Sequence, residues 1–547
     1  MSFLVVLIIV LGTVFQTLTV FRSGWWYDFG MGFWGPTGRD LVWHQALVEQ
    51  LLKDVPPQNP GLAGITLTNY HYFYDLLVAI THKLTGISVL DLIYRIFPVI
   101  FSVLFGVGTY LLTQRLFKNK LATVFSLFFA YFAGSFGWIV EWIHFRKLGG
   151  ESAFWMNQPV SMNLNPPFAL SIVLLIFTAL FFINWQEKKN LKRVILIIVL
   201  SILLFEVKVY AGLVVLGAMT ALSVEAFLVK KDLSYFKLAL PVFLFSIWFL
   251  ISKGIANSSF VELKPLWFVH SALDAPDRIG WVRLASARVN YYLAGNWLKY
   301  LLSEILAVVI FIVGNMGMRI IGLLLALRIW RRRLLSLGEY CFIFWVSLFS
   351  FIVPFFFVQK GNPWNTIQFS YYFLYFSALF AGSALAGLSK KLPHATYYLL
   401  VLVILLLTPI SSFTTFTFGL YKNPPAMLTQ GEYKALEFLK GQPEGVVLTY
   451  PYNPGLRSKV KSNPYPLSVY TDTDYVVAFS GKAIYLGDVE QQKILQTDYS
   501  DRLGFQVGNK EIDYVYLPKI YGISFGEESG LTNIFDNEEV LIYSKRK

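Results

Sequence analysis

Residues 91–117 read DLIYRIFPVIFSVLFGVGTYLLTQRLF and carry no charged side chain between Arg95 and Arg115. A helix needs about 20 mainly apolar residues to cross the hydrocarbon core of a membrane. The segment therefore predicts a membrane-spanning helix near residues 93–114. Lys118 and Lys120 follow soon after Arg115, and basic residues at the end of a span favour the cytoplasmic side.

The composition of the whole chain is that of a membrane protein. It has 547 residues, of which 56% are hydrophobic and 14% charged, whereas soluble domains have about 45–50% apolar and 25% charged residues. The net charge of +13 is explained by basic loops that orient the spans, and no basic patch on a soluble face indicates nucleic-acid binding. Cys341 is the single cysteine, which excludes an intrachain disulfide.

Similar apolar runs recur along the chain and predict about eleven spans. They are expected near residues 2–21, 93–114, 121–143, 166–185, 193–209, 210–229, 238–253, 303–327, 340–358, 369–388 and 396–418. Residues 2–21 are interpreted as the first span and not as a signal peptide, because no basic segment precedes the run and no small-x-small cleavage site precedes Arg22.

The basic residues give all spans one orientation. Five basic clusters follow the second, fourth, sixth, eighth and tenth spans, at 115–120, 188–193, 230–237, 328–333 and 390–391. They fall on one side, which the positive-inside rule assigns to the cytoplasm. We therefore expect a multi-pass protein of the plasma membrane, with its N-terminus in the cytoplasm and its C-terminal region outside the cell.

This orientation leaves a long outer loop, residues 22–92, after the first span. Within it, residues 38–53 read GRDLVWHQALVEQLLK, with the apolar spacing of an amphipathic helix lying on the membrane surface. Residues 72–85 are too polar and too short to span comfortably. They are expected to form a second surface helix or a re-entrant one.

The composition changes near residue 420, where we place a boundary between a transmembrane domain, 1–419, and a small extracytoplasmic α/β domain, 420–547. Residues 431–440 predict a helix. Short apolar runs rich in β-branched and aromatic residues predict buried strands at 446–448, 475–479, 483–486, 514–517 and 540–543. Residues 480–482, Ser-Gly-Lys, are a candidate hairpin turn.

Asp40 and Asp28 are the candidate catalytic acids of the outer loop. Asp40 could instead cap the helix that follows it, since aspartate favours that position, and Asp28 could be a solvated loop residue. Both lie among tryptophans, and apolar walls raise the basicity of a carboxylate. A base in this loop could reach a hydroxyl group at the membrane surface. His44 would share a helix face with Asp40, four residues on, and could orient it or bind sugar.

Three cations are candidates for binding a phosphate group. Lys208 lies with Glu206 in an apolar run, where charges usually serve a function, although both groups could instead reach water at an outer turn. Arg95 begins the second span and is either an interfacial anchor or a phosphate contact, which suits its forked guanidinium. Arg278 lies in the outer loop at 254–302. The six histidines are scattered, and no spacing of His or Cys predicts a metal site.

Several segments together resemble the GT-C superfamily of membrane glycosyltransferases, which includes the protein O-mannosyltransferases and the aminoarabinose transferases. The resemblance lies in GRDLVWHQALVEQLL after a single span, in TNYHYFYDLLVAITHKLTGIS, in DLIYRIFPVIFSVLFGVGTYLLTQRLF, in KGNPWNTIQFSYYF and in VAFSGKAIYLGD. Many members carry an adjacent Asp-Glu pair in the first loop, whereas this chain has Arg39-Asp40 and Tyr27-Asp28. The choice of base between the two aspartates therefore stays open, and no ligand cluster supports a divalent metal.

The resemblance implies an inverting glycosyltransferase that moves a hexose or pentose from a polyprenyl phosphate to a glycan, lipid or protein acceptor outside the cell. It implies Asp40 or Asp28 as the base, and sugar or phosphate contacts from the aromatic segment with His71 and from His44, Arg95, Lys208 and Arg278. It implies no certain cofactor and allows a divalent metal, for which the sequence offers no ligand cluster. One alternative is a transporter or flippase for a lipid-linked sugar, which would need polar residues near the membrane midplane. Another is a noncatalytic assembly or receptor protein acting through its C-terminal domain.

Overall fold

The computed structural model describes residues 1–255, 260–333, 338–421, 423–460, 463–526 and 529–545. The helices of the N-terminal half are α1 (Phe3–Leu18), α2 (Asp40–Leu51), α3 (Phe73–Thr85), α4 (Val89–Asp91), α5 (Phe97–Phe117), α6 (Lys120–Phe132), α7 (Gly137–Phe145), α8 (Gln158–Leu164), α9 (Pro166–Glu187), α10 (Leu191–Val207), α11 (Val209–Lys230) and α12 (Ser234–Ser252). A π-helical turn, Leu92–Ile96, joins α4 to α5.

The helices of the remaining chain are α13 (Trp267–Asp274), α14 (Val282–Leu293), α15 (Trp297–Met316), α16 (Leu323–Arg333), α17 (Cys341–Phe356), α18 (Phe369–Leu388), α19 (His394–Leu407), α20 (Ile410–Phe416), α21 (Gln430–Lys440), α22 (Leu467–Tyr470), α23 (Tyr475–Ser480) and α24 (Val489–Leu495). The strands are β1 (Trp25–Tyr27), β2 (Gly30–Phe33), β3 (Val261–Leu263), β4 (Phe357–Gln359), β5 (Ala426–Leu428), β6 (Val447–Thr449), β7 (Tyr465–Pro466), β8 (Tyr514–Pro518), β9 (Leu531–Asp536) and β10 (Val540–Lys545).

The predicted multi-pass helical membrane fold is confirmed. Within the described ranges, 7 helices are long and apolar enough to cross a membrane, or 8 if α6 and α7, which meet at 46°, form one broken span. Helices α1 and α17 are apolar but have only 16 residues each. Each predicted span coincides with an apolar helix, and the number eleven stays a prediction.

The spans pack closely where small residues face one another. Gly382 of α18 lies against α6, where an added Cβ atom would overlap the backbone of Ser126. The Ser126 hydroxyl donates a hydrogen bond to the carbonyl oxygen of Leu379, 2.9 Å away. Small residues that let two helices approach closely are the usual basis of helix association inside a membrane, and they place α18 in the centre of the bundle.

The first outer loop and the C-terminal region share one sheet. Its strand order is β1-β2-β5-β7, so that a hairpin from residues 25–33 pairs with strands that follow the last span. Gly30 has a φ of +123°, and a Cβ atom there would lie 2.6 Å from the carbonyl oxygen of Leu428. Glycine is therefore required where β2 approaches the end of β5.

Residues 38–53 were predicted to form an amphipathic helix on the membrane surface, and the predicted location of this helix is wrong. A helix does form, as α2, but both its apolar and its polar sides are buried. Gln45 and Gln50 donate hydrogen bonds of 2.7 and 3.1 Å to the carbonyl oxygens of Ala478 and Gly481. The polar face of α2 is thus covered by the C-terminal region, which the local sequence pattern does not reveal.

A second sheet, with the order β6-β8-β10-β9, confirms the predicted strands near 446–448, 514–517 and 540–543, and α21 confirms the predicted helix. The strand predicted at 475–479 is wrong, because these residues form helix α23. Short apolar runs do not distinguish a buried strand from a buried helix. The run at 483–486 makes a single bridge, from Ile484 to Val447, and Gly481 ends α23 instead of turning a hairpin.

Candidate active site

Asp40 is the first residue of α2, and its side chain is exposed. The N-cap position belongs to Arg39, and no side-chain capping bond is present. The surrounding protein desolvates the Asp40 carboxyl group and so raises its pKa above its ordinary value. The positive charges of Arg39, His44 and Lys208 act against this shift. A carboxyl group that is accessible yet closely surrounded suits a general base.

His44 follows Asp40 by one helical turn and is oriented by a buried carboxylate. Its Nδ1 atom lies 2.8 Å from the Oδ1 atom of Asp75, which is fully buried in the first turn of α3. Burial raises the pKa of Asp75, and His44 opposes that shift. When Nδ1–H donates to Asp75, the Nε2 atom of His44 is left for another partner. Asp75 thereby fixes the ring that stands beside Asp40.

His71 places a second imidazole near these residues. Its ring stacks on Tyr70 with centroids 4.6 Å apart, and Tyr70 meets Trp43 of α2 edge to face, also at 4.6 Å. Burial, followed by the charges of Lys208, His44 and Lys253, lowers the pKa of His71 well below its ordinary value. Its Nε2 atom is buried and has no hydrogen-bond partner among the described residues.

Lys208 is the cation of this group. It separates α10 from α11 and is only 5% exposed, so it does not reach bulk water from an outer turn. Its Nζ atom lies 3.3 Å from Oδ1 of Asn165 and 5.4 Å from the centre of the Tyr210 ring. An ammonium group has three protons to donate, and the Nζ atom of Lys208 makes one hydrogen bond among the described residues, to Asn165. Its charge influences both Asp40 and His71.

The C-terminal region closes the site on one side. Arg39 forms an ion pair of 2.8 Å with Glu490 of α24 and lies 3.9 Å from Asp488. Asp40 also contributes, through its charge, to the raised pKa of Tyr470. Residues from the first outer loop, the α10–α11 junction and the C-terminal region therefore meet around Asp40.

Arg278 lies in a different environment. Its guanidinium group is 4.2 Å from the Trp155 ring centre and 3.9 Å from that of Trp364. Burial lowers the pKa of Arg278 to about 10, against the charge of Asp277, so the group remains charged at neutral pH. The two rings hold it between the 144–165 and 359–368 segments, and none of the described contacts joins it to Asp40.

None of the described contacts joins Arg95 or Asp28 to Asp40. Arg95 donates a 2.9 Å hydrogen bond to the carbonyl oxygen of Ser23, pairs with Asp91 at 3.1 Å and covers the Trp25 ring. These contacts anchor the start of the first loop. Asp28 is exposed in the turn between β1 and β2. The described contacts bring together Asp40, His44, His71 and Lys208 from the predicted set.

Sequence reasoning missed Asp75, Asn165 and Arg39. Asp75 lies four residues after His71 in the same aromatic segment. The sequence therefore offered a signal for it, namely an acidic residue close to a candidate histidine. Asn165 precedes Pro166 and Pro167, which is a typical helix start, but nothing in the sequence relates it to Lys208. The contact of Arg39 with Glu490 joins residues that are distant in the chain.

The described residues do not fit a protein-bound metal. They contain no group of three or more His, Cys, Asp or Glu side chains arranged to hold an ion. The carboxylates closest to Asp40 have partners of their own, since Glu490 pairs with Arg39 and Asp75 lies 2.8 Å from the Nδ1 atom of His44.

Comparison with solved structures gives the fold. No family model and no curated protein matches the sequence. The archaeal oligosaccharyltransferase AglB from Archaeoglobus fulgidus, in complex with an inhibitory peptide and a dolichol-phosphate, is similar with a TM-score of 0.53 and 12% identity, over 94% of this chain and 69% of that chain. The chain therefore shares the fold of this oligosaccharyltransferase. This confirms the architecture that the sequence resemblance implied.

Two other structures complete the comparison. AglB in complex with Zn and sulfate gives a TM-score of 0.51 and 13% identity, over 94% of this chain and 69% of that chain. ArnT from Cupriavidus metallidurans bound to undecaprenyl phosphate gives 0.45 and 10%, over 99% and 97% of the two chains. At such low identities the AglB structures show similarity of fold alone, and the function of the present chain has to be argued from its own residues.

Proposed function

We propose that this GT-C protein transfers a sugar from a polyprenyl phosphate to an acceptor at the outer face of the membrane. The observation that carries the proposal is that an accessible carboxyl group of raised pKa, Asp40, lies within the electrostatic influence of a buried cation, Lys208. The ammonium group of that lysine makes one hydrogen bond among the described residues. The carboxylate of Asp40 can take the proton of a hydroxyl group, and the ammonium group of Lys208 can bind a phosphate. Polyprenyl-phosphate donors agree with the dolichol-phosphate bound by the structural neighbour.

The reaction is a single displacement. The oxygen of the acceptor hydroxyl forms a bond to the anomeric carbon of the donor while the bond from that carbon to the phosphate oxygen breaks. Asp40 takes the hydroxyl proton, and the polyprenyl phosphate leaves with the bonding electron pair. Attack opposite the leaving group inverts the anomeric configuration.

The phosphate is stabilised by charge. Lys208 donates hydrogen bonds to the phosphate oxygens, and Asn165 and Tyr210 hold the ammonium group in place. Such preorganised charge stabilises the leaving group as its negative charge develops. Arg95 and Arg278 are the further phosphate contacts proposed from the sequence, and Asp28 is the alternative base. His44 and His71 offer ring nitrogens to the sugar hydroxyls.

The orientation in the membrane can be tested by chemical labelling. We propose that the basic loops are cytoplasmic and that the C-terminal region lies outside. In a Cys341→Ser background, Lys510→Cys should react with a membrane-impermeant maleimide applied to intact cells. Lys188→Cys should react only after permeabilisation, because both positions are exposed on the protein but lie on opposite sides of the bilayer. The reverse pattern would place Asp40 on the cytoplasmic side.

The biological reaction can be tested in a strain that lacks the gene. Mass spectrometry should show accumulation of one polyprenyl-phosphate sugar together with loss of one residue from a surface glycan, lipid or protein. Expression of the unaltered protein should restore both, and expression of Asp40→Asn should restore neither. A strain with unchanged lipid-linked sugars and glycans would contradict the proposed function, whereas accumulation of the donor inside the membrane without outward exposure would support a flippase.

A further inference from the structure

A second cavity opens on the molecule apart from the group around Asp40. It has a volume of about 710 Å³, and its walls include Lys264, Trp267, His270, Asp274 and Trp364. Binding sites for small molecules have volumes of about 300–1,000 Å³ and combine apolar walls with a few polar groups. Of the residues proposed for the transfer reaction, none lines this cavity.

The aromatic wall is rigid. Trp267 and Trp364 meet edge to face with ring centres 4.8 Å apart, and Trp364 stacks on Trp155 at the same distance. The Arg278 guanidinium packs on both Trp155 and Trp364. Contacts of this kind hold aromatic rings in defined orientations. The half-exposed faces of Trp267 and Trp364 therefore form a preformed platform.

The polar wall is oriented by buried charges behind it. The Nε2 atom of His270 lies 2.8 Å from Oε2 of Glu304, and both carboxylate oxygens of Asp274 lie 2.9 Å from the Nη2 atom of Arg288. Glu304 and Arg288 are themselves buried. A second layer of partners that fixes the first is typical of a binding site.

The cavity is connected to the transfer site through one segment of chain. Residues 357–369 run from β4, whose Gln359 accepts a 2.6 Å hydrogen bond from the Tyr210 hydroxyl, through Trp364 to the start of α18. Tyr210 lies beneath Lys208. Residues 357–369 therefore join a wall of the cavity, at Trp364, to Tyr210, which lies beside Lys208.

We propose that this cavity binds pyranose rings of a carbohydrate acceptor and guides a hydroxyl group toward Asp40. A pyranose presents an apolar face of C–H bonds, which packs on an indole ring, and an edge of hydroxyl groups, which donate to a carboxylate and bond to an imidazole. Trp267 and Trp364 supply the first kind of contact, and Asp274 and His270 supply the second. The inference rests on the proposed function and assigns its acceptor to the carbohydrates.

The test measures saccharide binding and transfer in the full-length protein in lipid nanodiscs. Hexasaccharides of glucose, mannose and N-acetylglucosamine serve as probes in saturation-transfer NMR. At least one should bind, and Trp267→Ala should weaken its binding about tenfold or more, the scale expected for loss of one aromatic contact. Trp281→Ala is the matched control, since Trp281 is an exposed tryptophan of the same outer loop that does not line the cavity.

Two further variants guard against misfolding. Trp267→Tyr keeps an aromatic face and should retain most of the binding, while Asp274→Asn keeps the shape of the side chain and should weaken it. Absence of binding by all three saccharides, or equal binding by Trp267→Ala, would overturn the proposal. So would displacement of the bound saccharide by unglycosylated peptides, because the cavity would then be a peptide site.

The transfer assay separates this inference from the proposed function. If Asp40→Asn abolishes transfer while Trp267→Ala leaves the KM for the acceptor unchanged, the cavity proposal fails and the glycosyltransferase stands. If Trp267→Ala removes saccharide binding while Asp40→Asn transfers sugar normally, the carbohydrate site stands and the proposed catalysis fails.

Discussion

Asp40→Asn is expected to lower sugar transfer by ~10²-fold or more while leaving the protein folded and able to bind its donor. Asparagine has nearly the same size, and it can still accept a hydrogen bond at a helix start. The substitution therefore removes the base and little else. The structure sharpens this test, because Asp40 is the first residue of α2 and makes no capping bond. Transfer should be measured with purified protein and a defined donor and acceptor.

The pH dependence gives the same prediction a second measurement. A carboxyl group acts as a base only when it is ionised, so kcat/KM should fall as the pH drops through the pKa of Asp40. Because burial raises this pKa, the fall should occur above the ordinary range of aspartate. The residual activity of Asp40→Asn should lack that limb of the profile.

Asp28→Asn is the matched control for Asp40→Asn. Asp28 is exposed in a hairpin turn of the same loop, and its substitution should leave transfer within a few-fold of the unaltered protein, as is usual for surface positions. Loss of transfer in Asp28→Asn with full activity in Asp40→Asn would move the base to Asp28. Full activity in both would contradict the proposed mechanism, because transfer would then use neither aspartate as its base.

Lys208→Ala is expected to weaken donor binding about tenfold to a hundredfold. A hydrogen bond to a charged group contributes about 1.5–3 kcal/mol, and this range corresponds to that change in affinity. The ammonium group of Lys208 is buried and makes one hydrogen bond among the described residues, to Asn165, so a phosphate would be its main partner. Donor affinity should be measured by titration of the polyprenyl-phosphate sugar into the purified protein.

Three other cations test the location of the phosphate. Arg95→Ala and Arg278→Ala should also weaken donor binding if those side chains reach the phosphate, and the structure favours the larger effect at Lys208. Lys299→Ala is the control, because Lys299 is exposed and belongs to α15. Unchanged affinity in Lys208→Ala, with loss in Arg95→Ala, would move the phosphate to the start of the first loop.

The sequence by itself determined the membrane architecture. Every predicted span, from residues 2–21 to 396–418, coincides with an apolar helix, and α2 and α21 also form where they were expected. The physical reason is that hydropathy adds up along a continuous segment, and the membrane fixes the length over which it must do so. Asp40 could be selected in the same way, since its place before a helix in an aromatic loop is a local property.

Only the tertiary structure decided what surrounds Asp40. Asp75 fixes His44 across 31 residues of chain, and Lys208 meets Asn165 across 43. The C-terminal region buries the polar face of α2, where Gln45 donates a hydrogen bond to Ala478, 433 residues further along the chain. Contacts of this kind depend on how distant segments pack and not on the pattern within any one of them. For the same reason, the apolar run at 475–479 became a helix against α2 when its local composition predicted a strand.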